Sequence, residues 1–136
     1  MTEFLAQEIL AKLKTARLAV LVLHRSPDAD SLGSAAAFSA MLEAYKIPYR
    51  FYCASALPAS AQFFGIEVDK IKNKAELFPN QSSALDQVIC TFDAGDLTHA
   101  GLNELFKAEL FPNQSSALDQ KPFLVNFDHH TSNTHF

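Results

Sequence analysis

The chain has little sulfur, no excess of positive charge and no long apolar run, and each shortage excludes something. Two cysteines, Cys53 and Cys90, are too few for a disulfide framework. Both fall in apolar runs that read as strands, so they are expected to be buried free thiols, packing as small hydrophobes. The formal net charge is −4, so no basic field points to long nucleic acid as a partner. A mononucleotide or a short oligonucleotide stays open, because a metal ion can supply positive charge locally. No apolar run approaches the ~20 residues of a membrane span. Met1 to Lys14 mixes Glu3, Glu8 and Lys12 among its apolar residues, unlike a secretory signal. The expected setting is a reducing cytoplasm, with no membrane partner.

What is present fits one domain with one core: 136 residues, 49% hydrophobic and 19% charged. Residues 2–15 read as an amphipathic helix that Thr2 can cap, with Phe4, Leu5, Ile9, Leu10 and Leu13 on one broad face. Leu18 to Leu23 is a continuous apolar run, the mark of a strand buried on both faces. An Ala-rich helix follows from about Ser31 to Tyr45, capped by Asp30 or Ser31. Tyr49 to Cys53 reads as a short strand, and Pro58 to Phe64 as a helical turn closed by Gly65. Val88 to Phe92 and Phe123 to Phe127 are further strands, with a short helix between them at Gly101 to Lys107. Strands alternating with helices predict an α/β fold, a mostly parallel sheet with helices on both faces.

The segment KAELFPNQSSALDQ occurs twice without a mismatch, at 74–87 and at 107–120. Solenoid repeats come in several imperfect copies and carry a core pattern, which this one lacks. One copy therefore reads as a recent insertion, a cloning feature or a sequence-assembly error. The first copy fits better as the original, since the second lengthens a connection that usually takes a few residues. Both are expected to be surface loops without function.

Three strands end in polar clusters. LAVLVL runs into HRSPDADSLGS, with His24, Asp28 and Asp30; VICTF runs into Asp93; FLVNF runs into Asp128, His129 and His130. In an open parallel sheet all strand C-termini lie on one edge, so the clusters should converge there. So many carboxylates repel one another unless cations sit between them. Mixed Asp/His ligation suits Mn²⁺, and also Fe²⁺ or Zn²⁺, with Mg²⁺ preferring oxygen alone. The donor count is enough for two metals, roughly 3.5–4 Å apart, activating water and clamping a phosphoryl oxygen. Asp93, the lone acidic residue at its strand end, is the expected bridge. Asp96 reads as a helix cap and His99 as a residue outside the ligand set. Gly33 and Ser34 open a helix on the same edge, where backbone N–H groups suit phosphate, although a packing role for Gly33 fits as well.

These three motifs resemble those of the DHH phosphoesterase superfamily. HRSPDADSLGS is similar to its first motif, of the form H-x-x-P-D-x-D-x-x-G-S; FDAGD resembles the second; FDHHTSN resembles the third. The likeness runs from about Arg17 to the end of the chain. It implies a parallel α/β domain holding two divalent ions, Mn²⁺ first and Mg²⁺ second, that hydrolyses phosphoesters or phosphoanhydrides. By motif, His24 and Asp28 would hold one metal and Asp30 the other, bridged by Asp93. His129 would be a ligand of the second metal, and His130 would meet the substrate phosphate. Asp128 would orient the histidine pair, and Asn133, with Gly33 and Ser34, would help hold substrate.

The segment Ala56 to Gly65 and the pattern DAGDL…GL look most like the branch of nanoRNases and 3′-phosphoadenosine-5′-phosphate phosphatases. RecJ-type exonucleases, cyclic dinucleotide phosphodiesterases and family II pyrophosphatases share the three motifs. The implied substrate is a nucleotide or short single-stranded oligonucleotide, with a second copy of the chain as a further partner. Two features of the family are missing: a further Asp ligand after the third motif and a C-terminal substrate-binding domain. Residues 1–136 therefore read as the N-terminal part of such an enzyme, weakly active or inactive alone. An inorganic pyrophosphatase and a non-catalytic metal- or nucleotide-binding fragment are the alternatives.

Overall fold

The structure, a computed structural model, describes residues 2–67, 72–77, 86–95, 100, 123–129 and 131. Helix α1 (Thr2–Thr15) leads into strand β1 (Leu18–Leu23), helix α2 (Ala29–Ala44) and strand β2 (Tyr49–Cys53). A 3₁₀ helix (Ala59–Phe64), the one-turn helix α3 (Lys74–Leu77), strand β3 (Gln87–Phe92) and strand β4 (Phe123–Phe127) follow. The strands form one parallel sheet in the order β2-β1-β3-β4, as the α/β reading expects.

Side-chain alternation along β1 builds two cores. Ala19, Leu21 and Leu23 face α1, α2 and the 3₁₀ helix, joining Leu13, Leu32, Ala35, Leu42 and Ala61. Val20 and Val22 face the other way and pack with Ile89, Leu77, Tyr52 and Ala100. Burial on both faces is why LAVLVL has no polar partner residue in its run. The sheet order reverses at β1: the chain leaves it for β2 on one side and returns for β3 on the other. In such sheets the crevice opens at that point, between the C-terminal ends of β1 and β3.

Several details differ from the sequence reading. Helix α2 begins at Ala29, two residues early, because Asp28 is its cap: the Asp28 carboxylate accepts the Ser31 N–H at 3.0 Å. Pro27 is buried just before this cap. The apolar face of α1 is covered only towards its end; Leu13 is buried, while Phe4 and Leu5 are exposed. Cys90 is buried, but Cys53 only half-buried; both are free thiols.

The first copy of the repeat is no idle surface loop. Asn73 and Glu76 exchange bonds, each side chain accepting the other's backbone N–H at 2.9 Å, a reciprocal cap that starts α3. Leu77 is then buried at 2% exposure, and its carbonyl accepts the Gln87 side-chain amide at 2.8 Å. The second copy at 107–120 and the expected helix at Gly101 to Lys107 lie outside the described residues.

Candidate metal centre

Three segments deliver polar side chains to the crevice. Asp30 comes from the first turn of α2, where the helix dipole favours an anion. Asp93 follows β3 directly, and Asp128 and His129 follow β4. The backbone bends sharply at Asp93, which takes a left-handed conformation (φ 59°). Aspartate tolerates that region better than most residues. The Asp93 N–H donates to the Phe127 carbonyl at 2.8 Å, which ties the bend to the end of β4. The Asp93 side chain is nearly buried, and its Oδ1 lies 3.1 Å from His129 Nε2.

One ligand atom each from Asp30, Asp93 and His129 lies within 4.8 Å of the others. Donors ~2.1 Å from one ion sit ~3 Å apart when adjacent in an octahedron and ~4.2 Å apart when opposite. The 3.1 Å contact between Asp93 and His129 matches the adjacent spacing. Two carboxylates with one imidazole are a donor set suited to a divalent ion. Around this group is an open cleft of about 360 Å³, lined by Asp30, Ser34, Asp93, Phe127, Asp128 and His129.

The residues read from the sequence thus divide. Asp30, Asp93 and His129 come together as a group able to hold a metal ion, with Asp128 and Ser34 on the walls of the same cleft. His24 and Asp28 are not in that group. Asp28 is occupied in capping α2, and His24 has its backbone N–H on Ser31 Oγ at 3.2 Å and its Nδ1 against the Arg25 carbonyl. Gly33 lies against the 3₁₀ helix: a Cβ there would stand 3.3 Å from the Phe64 ring. That contact favours the packing role for Gly33. His130, Asn133, Asp96 and His99 lie outside the described residues.

Two contributors were missed in the sequence. Ser31 is fully buried and its hydroxyl holds the His24 backbone in place. Phe127 lines the cleft although FLVNF reads only as a strand; its sole signal is an aromatic ring immediately before Asp128.

No family model matches the chain, and no curated protein does. Among solved structures, the crystal structure of an exopolyphosphatase-related protein from Bacteroides fragilis is similar, with a TM-score of 0.65 and 18% sequence identity. The match covers 92% of this chain and 34% of that one, so the chain spans about a third of that protein's length. At this identity the likeness concerns the fold: a parallel α/β domain whose strand ends share one edge.

Proposed function

We propose that the chain is the metal-holding part of a hydrolase acting on phosphoesters, with short oligoribonucleotides or 3′-phosphorylated nucleotides as substrates and two divalent ions, Mn²⁺ first, as cofactors. The observation that carries this reading is the gathering of Asp30, Asp93 and His129 at the C-terminal edge of the sheet. The three DHH-type motifs support it from the sequence, and favour the nanoRNase and 3′-phosphoadenosine-5′-phosphate phosphatase branch.

In this reading Asp30 and His129 would hold one ion and His24 with Asp28 the other, with Asp93 available to both. When bound, such ions lower the pKa of water towards about 7 and neutralise phosphate charge. The bend at Asp93 fixes its carboxylate before any ligand arrives, which avoids reorganisation during reaction. Ser34 places a hydroxyl on the cleft wall, able to donate to a phosphate oxygen. By the motif resemblance, His130 would meet the phosphate and Asp128 would keep the histidine pair oriented.

Calorimetric titration with Mn²⁺ tests the reading, followed by release of phosphate or mononucleotide from a dinucleotide. Two bound ions per chain are the expected result; none would overturn it in favour of a non-catalytic fragment.

A second reading is favoured by one observation: the similar structure is that of an exopolyphosphatase-related protein. On that reading the substrate is a phosphoanhydride. Release of phosphate from pyrophosphate or polyphosphate, with dinucleotides untouched, would select it.

A further inference from the structure

We infer that Phe127 is a stacking platform for a nucleobase, set beside the Asp30–Asp93–His129 group in the same cleft. The inference rests on the phosphoesterase reading and deepens it, by naming what surrounds the phosphate.

Phe127 is the last residue of β4 and shares the α2 side of the sheet with Phe123 and Val125. Burial falls off along this row: Val125 is 6% exposed, whereas Phe127 is 37% exposed. The ring is held from behind. It stacks on Phe92 with centroids 5.4 Å apart and planes 11° from parallel, and leans on Phe38 at 5.1 Å. Phe38 and Phe92 in turn meet edge to face at 5.5 Å, closing a three-ring cluster. Such a ring loses little freedom when a flat ligand lands on it, so contact area converts to affinity with a small ordering cost.

The cleft's composition makes the ring notable. Asp30, Ser34, Asp93, Asp128 and His129 all offer polar atoms, and Phe127 is the one hydrocarbon side chain lining it among the described residues. Phosphate, pyrophosphate and metal ions gain nothing from a hydrocarbon wall. A nucleobase does, because every base has a π-face and stacking on an aromatic ring is tolerant of sequence. The cleft volume of about 360 Å³ is in the range of small-molecule sites. A nucleoside monophosphate has the matching design: phosphate towards Asp93 and its cation, base over Phe127.

The experiment compares adenosine 5′-monophosphate with inorganic phosphate, both with Mn²⁺ present, on the whole chain. The wild type should bind the nucleotide more tightly than phosphate. In Phe127→Leu, which keeps hydrocarbon in the cluster but removes the ring, the ratio of the two affinities should fall about tenfold. Phe127→Tyr keeps the ring and should keep the ratio. A ratio unaffected by Phe127→Leu, or a nucleotide no tighter than phosphate in the wild type, overturns the stacking role and leaves the phosphoesterase reading standing. Absence of Mn²⁺-dependent binding of either ligand overturns both. A readout on the wild type, taken with diamagnetic Mg²⁺ or Zn²⁺ in place of Mn²⁺, covers the case where Phe127→Leu fails to fold: ring current from a stacked phenyl moves H2 and H8 of bound adenine upfield. Unshifted base protons in a bound complex also overturn the stacking role.

Discussion

Asp93 combines three demands at one position: a left-handed backbone, near-burial and a carboxylate aimed at His129. Asparagine meets the first two, since it also tolerates the left-handed region, but lacks the charge. Asp93→Asn should therefore weaken Mn²⁺ binding by at least about 100-fold, the upper range for residues that merely support a ligand. Its unfolding free energy without metal should stay within about 1 kcal/mol of wild type. Calorimetry and urea unfolding measure the two sides; a metal affinity unchanged by the substitution would remove Asp93 from the ligand set. Cys90 shows what burial alone does to a titratable group. Desolvation pushes its thiol up from 9.0 to about 12. The folded state thus retains a proton that the unfolded chain gives up above pH 9, and stability falls with rising pH between those two values. Cys90→Ala removes the group and should flatten that slope, read from unfolding midpoints between pH 8.5 and roughly 11. The place of Asp93 at the sheet edge was legible from its position after VICTF, because the end of a parallel strand is fixed by the strand itself. Phe127 was not, since exposure at a strand end depends on what the neighbouring elements cover.

Helix α2 supplies the clearest conflict between local and functional demands. Its cap, Asp28, is one of the residues that the DHH-type motif assigns to a metal, yet its carboxylate accepts the Ser31 N–H. A carboxylate has a second oxygen, so capping and ligation are compatible, and substitution separates them. Asp28→Ala loses both and should cost about 1 kcal/mol of stability. Asp28→Asn is as good a cap, so it should keep nearly all of that stability while lowering the Mn²⁺ count from two to one. Urea unfolding and metal titration on the pair give the answer; two ions retained in Asp28→Asn would make Asp28 a cap alone. The sequence placed this helix well but chose Asp30 or Ser31 as its cap. All three are plausible caps by type, and residue type alone does not say that Asp28, just after the buried Pro27, is the one outside the first turn. Helix α3 was missed for a related reason: four residues carry no period. Its trace in the sequence is Asn73 followed three residues later by Glu76, the pattern of a reciprocal cap.

At the scale of the whole molecule, the parallel sheet followed from strand runs alternating with helical ones, and convergence of the three polar clusters followed from the sheet. The order β2-β1-β3-β4 did not, because which strands neighbour each other is set by packing across β1, not by any one segment. The duplicated segment shows the same limit inside one chain. Fourteen residues are identical in both copies, but the first is preceded by Asn73 and the second by Phe106. Phenylalanine has no side-chain acceptor for a helix N–H, so the sequence before the second copy does not carry the capping pattern found before the first. Leu77 is buried and belongs to the core on the face of the sheet opposite α2. Leu77→Ala should cost about 2–5 kcal/mol, as for other buried leucines. Deletion of 107–120 nearly halves the 30-residue connection between β3 and β4. What remains still exceeds the roughly 10–12 residues that a parallel crossover needs. By chain-closure entropy, halving a connection's length changes stability by only ~0.6 kcal/mol, so the deletion variant should unfold within about 1 kcal/mol of wild type and keep its Mn²⁺ affinity. Urea unfolding and metal titration of the two variants decide it. A deletion that destabilises as much as Leu77→Ala would mean that the second copy, like the first, is built into the core.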